Sequence, residues 1–331
     1  MKSKILQKSI ISLEIVLCLF LNMVALTSCN RKETQNEWNS ELISNISEEN
    51  MMETIENISR KPRCIGSKEN DTVCDYMNRK LVNMGYATEK QRFYFTEETN
   101  NESIKKRSDL QAYLNGAFTD DVSGINGVNL IAEKNHDQSK RTLILSAHYD
   151  TCKDSTGAND NGSGIAVLLE TARILSDKQL PFNVMFVFFS GEESWFVGSR
   201  YFVSQISEKE KNDMIGVINV DTVAQKSNLG YWIMVGEGKE SEDKEGNFTV
   251  EPEGNFISDL FTNNQRFSLT CQMNSDHYPF SMVGIPAISI VQDMTEGIAA
   301  NSQEDTMDII DPKRLSEVTR IILKILSDIK I

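Results

Sequence analysis

Between Val128 and Val220, four short and mostly apolar runs (VNLIA, TLILSA, NVMFVFF and IGVINV) are interrupted by segments with helical spacing. A strand covered on both faces loses the polar/apolar alternation of a half-exposed one, and strands joined through helices run parallel. The pattern therefore predicts an α/β fold: a three-layer α/β/α sandwich with a mixed, largely parallel central sheet. Helices are expected at Gly164 to Leu175, Ser199 to Ile206, Asn255 to Asn264 and Pro312 to Ile329. Further strands are expected at Tyr86 to Phe95, near an edge, at Ser268 to Met273 and at Ala287 to Val291, with an extended segment at residues 230–237. Upstream, Glu41 to Ile58 reads as an amphipathic helix broken near Ser47, and Asn70 to Met84 as a second helix closed by Gly85. Residues 97–125 are polar and poorly patterned and read as a surface insertion, leaving 41–331 as one domain.

Acidic groups stand just beyond three of these strands: His148-Tyr149-Asp150 with Asp160 ahead of the next helix, Gly191-Glu192-Glu193, and Asn219-Val220-Asp221. Carboxylates and an imidazole converging at the carboxyl ends of strands are the ligand types of zinc and related divalent ions. One acid after a strand is ordinary capping, whereas three such groups on one sheet edge define a candidate metal centre. The alternative for Gly191-Glu192-Glu193, a solvated acidic turn, fits poorly after so apolar a strand. A metal lowers the pKa of water and a nearby carboxylate takes its proton, so adjacent Glu192 and Glu193 can divide the work of base and ligand. Asp154 lies in the same first segment and reads as a loop acid. His277 can be a helix-start residue or a substitute ligand, and His136 sits in a polar turn expected to be solvated.

The segments AHYD, GANDNGSG, FFSGEES with Gly198-Ser199, NVD, and SDHYPF followed by Gly284-Ile285-Pro286 resemble, in order and spacing, the zinc exopeptidase family that includes bacterial leucyl aminopeptidases. Its fold is shared with the glutaminyl cyclases, and the resemblance runs from about Arg63 to Ile329. It implies a metal-dependent exopeptidase, an aminopeptidase that removes N-terminal residues from peptides. It further implies two metal ions that share an aspartate and hold a water. His148, Asp160 and Asp221 would form one site, and Asp160 would bridge to a second containing Glu193. Asp150 would orient His148, Glu192 would be the general base, and Asp276 and His277 would line the substrate pocket, Asp276 near the catalytic glutamate.

The chain departs from the family at its last ligand. Where the family has His-Thr-x-x-Asp-Thr, this sequence reads Asn301-Ser302-Gln303-Glu304-Asp305-Thr306, and with three histidines in all there is no spare one nearby. An amide carbonyl is a neutral, hard donor and a poor zinc ligand. Either Asn301 serves as a weak ligand, an acid such as Glu296 or Glu304 replaces it, or only the His148 site fills, so one or two zinc ions are expected. The loss bears hardest on a glutaminyl cyclase-like acyltransferase, whose single zinc uses that position. A non-catalytic, peptide-binding lipoprotein of the same fold is the other alternative. A structural calcium site is disfavoured by His148, since calcium prefers oxygen.

The N-terminus carries Lys2, Lys4 and Lys8, an apolar run from Ile10 to Leu26, and Leu26-Thr27-Ser28-Cys29. This resembles a lipoprotein signal (1–28) ending in a lipobox, with Cys29 acylated and 29–40 a polar tether. Glu14 inside the short apolar run argues against an uncleaved anchor. The expected product is exported and held on the bacterial cell envelope by its lipid alone. The formal charge of −14 becomes −16 without the signal's three Lys and one Glu, which disfavours nucleic acid as a partner. Cys64, Cys74, Cys152 and Cys271 match no zinc-finger spacing; a Cys64–Cys74 disulfide and four isolated thiols both stand.

Overall fold

Strand β3 (Thr142–His148) is buried at every residue and sends alternate side chains into two different cores. Leu143, Leu145 and Ala147 join one core and Ile144 the other, as the period-two geometry of a strand requires. Its neighbours β4 (Asn183–Phe189) and β5 (Met214–Val220) divide in the same way: Phe186, Phe188, Ile218 and Val220 face one side, Val187, Phe189 and Val217 the other. Such strands need a helical layer on each face. In this computed structural model, which describes residues 40–242, 248–261 and 264–329, both layers are present.

Among the described residues the main sheet has eight strands in the order β1 (Ala87–Phe95), β2 (Ile125–Glu133), β4, β3, β5, β10 (Ala287–Gln292), β6 (Tyr231–Val235), β9 (Phe267–Cys271). The central four, β4-β3-β5-β10, are mutually parallel, while β1/β2, β2/β4 and β10/β6 pair antiparallel and β6/β9 parallel. The chain leaves β3 for β4 on one side and returns to β5 on the other. The carboxyl end of β3 is therefore a topological switch point, where open α/β sheets present ligand sites.

Helices Glu48–Ile58, Lys68–Asn83, Gly162–Leu175 and Pro312–Asp328 cover one face. Helix Val197–Gln205, with Leu110–Asn115 and Tyr278–Met282, covers the other. Gly164 lets helix Gly162–Leu175 start against the end of β5: a Cβ there would lie 2.3 Å from the Val220 carbonyl oxygen. The expected break at Ser47 is a helix start, the Ser47 side chain accepting from the Asn50 amide.

Residues 97–125 differ from the unpatterned insertion the sequence suggests. They hold helices Glu97–Lys105 and Leu110–Asn115, capped by Thr96 and Asp109, with Tyr113, Leu114 and Ala117 buried. Capping and a few apolar anchors organise this segment, and neither gives a periodic signal. The helix expected at Asn255 to Asn264 is confined to Phe256–Asp259, and a small hairpin, β7 (Gly238–Glu242) with β8 (Phe248–Pro252), has no counterpart in the sequence reading. The signal segment, Cys29 and the tether up to residue 39 lie outside the described residues. Among the described residues no helix is long and apolar enough to cross a membrane.

Candidate metal centre

His148 ends β3 with its ring fully buried. Its Nε2 lies 3.1 Å from Asp160 Oδ1 and 3.4 Å from Asp221 Oδ1, and its Nδ1 lies 3.6 Å from Asp150 Oδ1. None of these approaches makes a hydrogen bond, so both ring nitrogens are unpartnered. A buried polar atom left unpaired costs about 1–3 kcal/mol, and native interiors rarely tolerate it without a purpose. A divalent cation among these donors would satisfy the imidazole and neutralise the carboxylates together. Donor chemistry agrees, since imidazole nitrogen and carboxylate oxygen are both zinc ligands. Glu192 also enters this cluster: ligand atoms of His148, Glu192 and Asp221 all lie within 4.8 Å of one another.

Each acid is held from behind. Asp221, at the end of β5, accepts from Thr222 Oγ1 (2.8 Å) and Ser275 Oγ (2.7 Å). Asp160 is placed through its backbone: Asp305 accepts the amides of Asn159 (2.6 Å) and Asp160 (2.9 Å) on its two carboxylate oxygens. Next to it, Asn161 accepts from the Gly164 and Thr222 amides and donates to the Val220 carbonyl, tying the helix start to β5. Asp150 accepts the backbone amides of Glu192 (3.1 Å) and Glu193 (3.3 Å). It therefore stands beside the His148 ring and fixes the loop after β4 as well.

The buried Arg63 guanidinium donates to the carbonyls of Tyr149 (2.7 Å), Thr156 (2.6 Å) and Gly157 (2.9 Å), pinning the loop that follows β3. Among the described residues, four of the five non-glycine residues with positive φ adjoin the site: Trp195 and Phe196 follow the glutamates, Thr222 follows Asp221, and Asn301 is the fourth. Such conformations cost energy and persist where the surrounding structure over-determines them. Gly191 serves the same turn at φ +92°, where a Cβ would strike Val197 and Ile65.

A second set of donors surrounds Glu193. The exposed Asn301 side chain lies against its carboxylate, with the amide nitrogen donating at 2.5 and 3.0 Å to the two oxygens in the orientation that satisfies both groups. From the other side the Cys152 thiol donates to Glu193 Oε2 at 3.1 Å. Glu296 and Glu304 are both exposed, and Glu304 is engaged with Ser302.

The electrostatics are those of a centre with too many acids. Burial opposes a charged His148, but Asp221, Glu192, Asp150 and Asp160 outweigh it and lift the imidazole well above its usual range. Burial, reinforced by Asp221, Glu193 and Asp276, raises Glu192 far above an ordinary carboxylate, with His148 opposing. Burial and then Asp160 push Glu193 up to about 8, and burial brings Asp276 to about 7. Asp221 is lowered in spite of burial by His148, Ser275 and Thr222. Protons are retained where a cation would otherwise balance the charge.

Of the other residues singled out from sequence, Asp276 is buried, with Oδ1 accepting from Ser199 Oγ at 2.6 Å and Oδ2 unpartnered. His277 is buried at the start of helix Tyr278–Met282 and its Nε2 meets the Gln272 carbonyl at 2.9 Å, so the helix-start reading describes it and the metal cluster does not include it. Asp154 is an exposed loop acid, and His136 pairs with Glu133 at the surface. Cys64, Cys74, Cys152 and Cys271 are all free thiols. Sequence reasoning missed Arg63, Cys152, Ser275 and the role of Asp305. A lone arginine or cysteine carries no spacing signal, although Asp305 lies inside the recognised motif.

The cleft between Tyr86, Lys134, Lys178 and Phe182, about 290 Å³, lies at the opposite end of β3 and β4 and takes no part in this centre. Helix Glu97–Lys105 does reach the site's edge, the Asn100 amide donating to the Ser194 carbonyl at 2.8 Å.

Comparison with known proteins agrees with this architecture. The family model described as "Peptidase family M28" matches residues 129–326. The chain is 31% identical over 209 residues to "Aminopeptidase YwaD" of Bacillus subtilis, a match covering 61% of this chain and 43% of that protein. It is 30% identical over 167 residues to "Probable lipoprotein aminopeptidase LpqL" of Mycobacterium tuberculosis, covering 48% of this chain and 33% of that one. The matches thus span less than half the length of either relative. Among solved structures, "BSAP, a zinc aminopeptidase from Bacillus subtilis" superposes with a TM-score of 0.68 at 18% identity, over 85% of this chain and 94% of that one.

Proposed function

Because this chain belongs to peptidase family M28, we propose that it is a zinc-dependent aminopeptidase that hydrolyses the first peptide bond of small peptides. The observation that carries the reading is His148, fully buried with both nitrogens unpartnered and Nε2 within 3.4 Å of the carboxylates of Asp160 and Asp221. His148, Asp160 and Asp221 would hold one ion, and Asp160 with Glu193 would contribute to a second. When bound, zinc supplies Lewis acidity, polarising the scissile carbonyl and making water easier to deprotonate.

Glu192 is the general base: it takes a proton from the attacking water and returns it to the departing amine, a task suited to a carboxylate whose pKa burial has raised. Asp150 keeps Glu192 on station through its backbone amide. The surplus of carboxylates favours a substrate with a protonated amino terminus. In the test, Glu192→Gln retains its metal and loses about 10²–10⁴-fold in turnover of aminoacyl chromogenic substrates. Full activity in that variant sinks the mechanism.

A second reading, peptide binding without turnover, is favoured by the Asn301 amide standing on Glu193. Absence of a stoichiometric divalent ion at micromolar concentrations, together with calorimetric peptide binding, would select it. For location, the proposal is an exported protein anchored to the bacterial envelope through acylated Cys29. The leader sequence and the name of the mycobacterial relative support it. Cys29→Ser should abolish incorporation of a fatty-acid label, and retained label would refute the anchor.

A further inference from the structure

Resting on the aminopeptidase reading above, we propose that Trp195 sets specificity for the leaving fragment: its indole is a platform for the side chain of the substrate's second residue and favours apolar and aromatic side chains there. Trp195 is 56% exposed, and its indole belongs to none of the apolar clusters of the interior. Its backbone is left-handed at φ +63°, a conformation that glycine takes freely and a bulky side chain takes at an energetic cost. The fold thus neither packs this tryptophan nor gains from its backbone. A large side chain kept under those conditions beside a candidate catalytic glutamate points to a ligand.

The turn that carries the indole is held on every side. The Phe196 amide donates to the Glu192 carbonyl at 2.9 Å and the Ser194 amide to the Gly191 carbonyl at 3.3 Å. The Ser194 carbonyl accepts from Asn100 Nδ2 at 2.8 Å, and Asn100 Oδ1 accepts from the buried Arg200 guanidinium at 2.8 Å. Ser199 Oγ lies 3.1 Å from the Phe196 carbonyl and donates to Asp276 Oδ1 at 2.6 Å, tying the turn to the loop whose Ser275 holds Asp221. Within four residues the chain climbs from buried Gly191, past Glu192, to exposed Trp195. The substrate's ammonium is drawn inward by buried carboxylates, Asp221 and Asp276 among them, so the peptide beyond the first bond runs outward. Trp195, three residues past the base that returns its proton to the departing amine, stands on that outward path. An indole is a rigid apolar surface that stacks on rings and covers aliphatic side chains. Phe256, the other exposed aromatic ring among the described residues, adjoins Asn255, which donates to the carbonyl of Ala287 at the opposite end of β10.

The test compares kcat/KM on zinc-loaded protein for peptides that share an N-terminal leucine and carry phenylalanine, leucine or glycine second. The parent should prefer phenylalanine to glycine by about tenfold or more, a preference expressed in KM. Trp195→Gly should bring that ratio close to one, with no fall in Tm, because glycine accepts the left-handed backbone. An unchanged ratio overturns the platform and leaves the aminopeptidase reading standing, and a fall in Tm overturns it by making Trp195 a packing residue. A second measurement needs no turnover: in zinc-loaded Glu192→Gln protein, a leucine peptide with 4-nitrophenylalanine second should quench tryptophan emission, and Trp195→Phe in that background should remove most of the quenching, leaving Trp38 and Trp232 as emitters. Quenching that depends on Trp195 in a protein that cleaves no peptide keeps the platform and sinks the aminopeptidase reading. Absence of both cleavage and quenching overturns the two together.

Discussion

The Asp150 carboxylate accepts the backbone amide of Glu192 at 3.1 Å, and so the loop after β3 fixes the loop after β4. Its second oxygen takes the Glu193 amide at 3.3 Å. Replacing Asp150 with Asn leaves one good acceptor for two amides and places an NH2 against an N–H. We expect zinc affinity to fall by about 10–100-fold, as for other outer-sphere partners, and stability by about 1–3 kcal/mol. Zinc titration and urea unfolding of the same variant measure the two effects.

Arg63→Met should be more damaging to folding than any substitution at a ligand. It strands the carbonyls of Tyr149 and Thr156 inside the protein and leaves that of Gly157 with the Gly162 amide alone. Hydrogen bonds to a charged group are worth about 1.5–3 kcal/mol each, so a loss of at least ~3 kcal/mol is expected after relaxation. Chemical denaturation in excess zinc checks it, and a variant as stable as the parent would remove Arg63 from the support of the site.

Metal affinity should climb with pH at least to about 8, the His148 imidazole, lifted well above its usual range, also having a proton to give up. Burial and Asp160 hold the Glu193 proton on until then, and an incoming cation has to displace it. Each displaced proton makes affinity rise by up to about tenfold per pH unit below that point. Calorimetry in buffers of different ionisation enthalpy counts the protons; a zinc affinity flat from pH 6 to 8 would contradict the assignment of Glu193.

His277 gives the fold a separate acid sensitivity. Burial lowers its pKa to about 4, below the 6.5 of an unhindered histidine. The unfolded chain then binds the proton first, so His277 contributes stability above about pH 6.5 that is lost as pH falls toward 4. The full span is worth about 3 kcal/mol. Compared with the parent, His277→Gln should show a shallower fall of Tm between pH 6.5 and 4, and an unchanged slope would refute the assignment.

The parts of this protein legible in its sequence are those that repeat or cluster. Runs such as TLILSAH and NVMFVFF identify doubly covered strands because burial on both faces removes alternation. His148, Asp160, Glu192, Glu193 and Asp221 stand out because several chemically matched residues follow strand ends. Arg63 and Cys152 are single residues whose partners lie 86 and 41 positions away, and no local pattern announces such a contact. The helices within residues 97–125 escaped for a related reason: Thr96 and Asp109 start them, but each is too short for its apolar face to show as a period.

Asp305 reaches back 145 residues to hold the amide of Asp160. While the chain is being made, the loop carrying His148 and Asp160 is complete long before the residue that fixes it. The centre can therefore close only after the last strand has joined the sheet and the segment beyond it has docked. An ion bound here would be drawn from the compartment where folding finishes, whatever metals surround the ribosome.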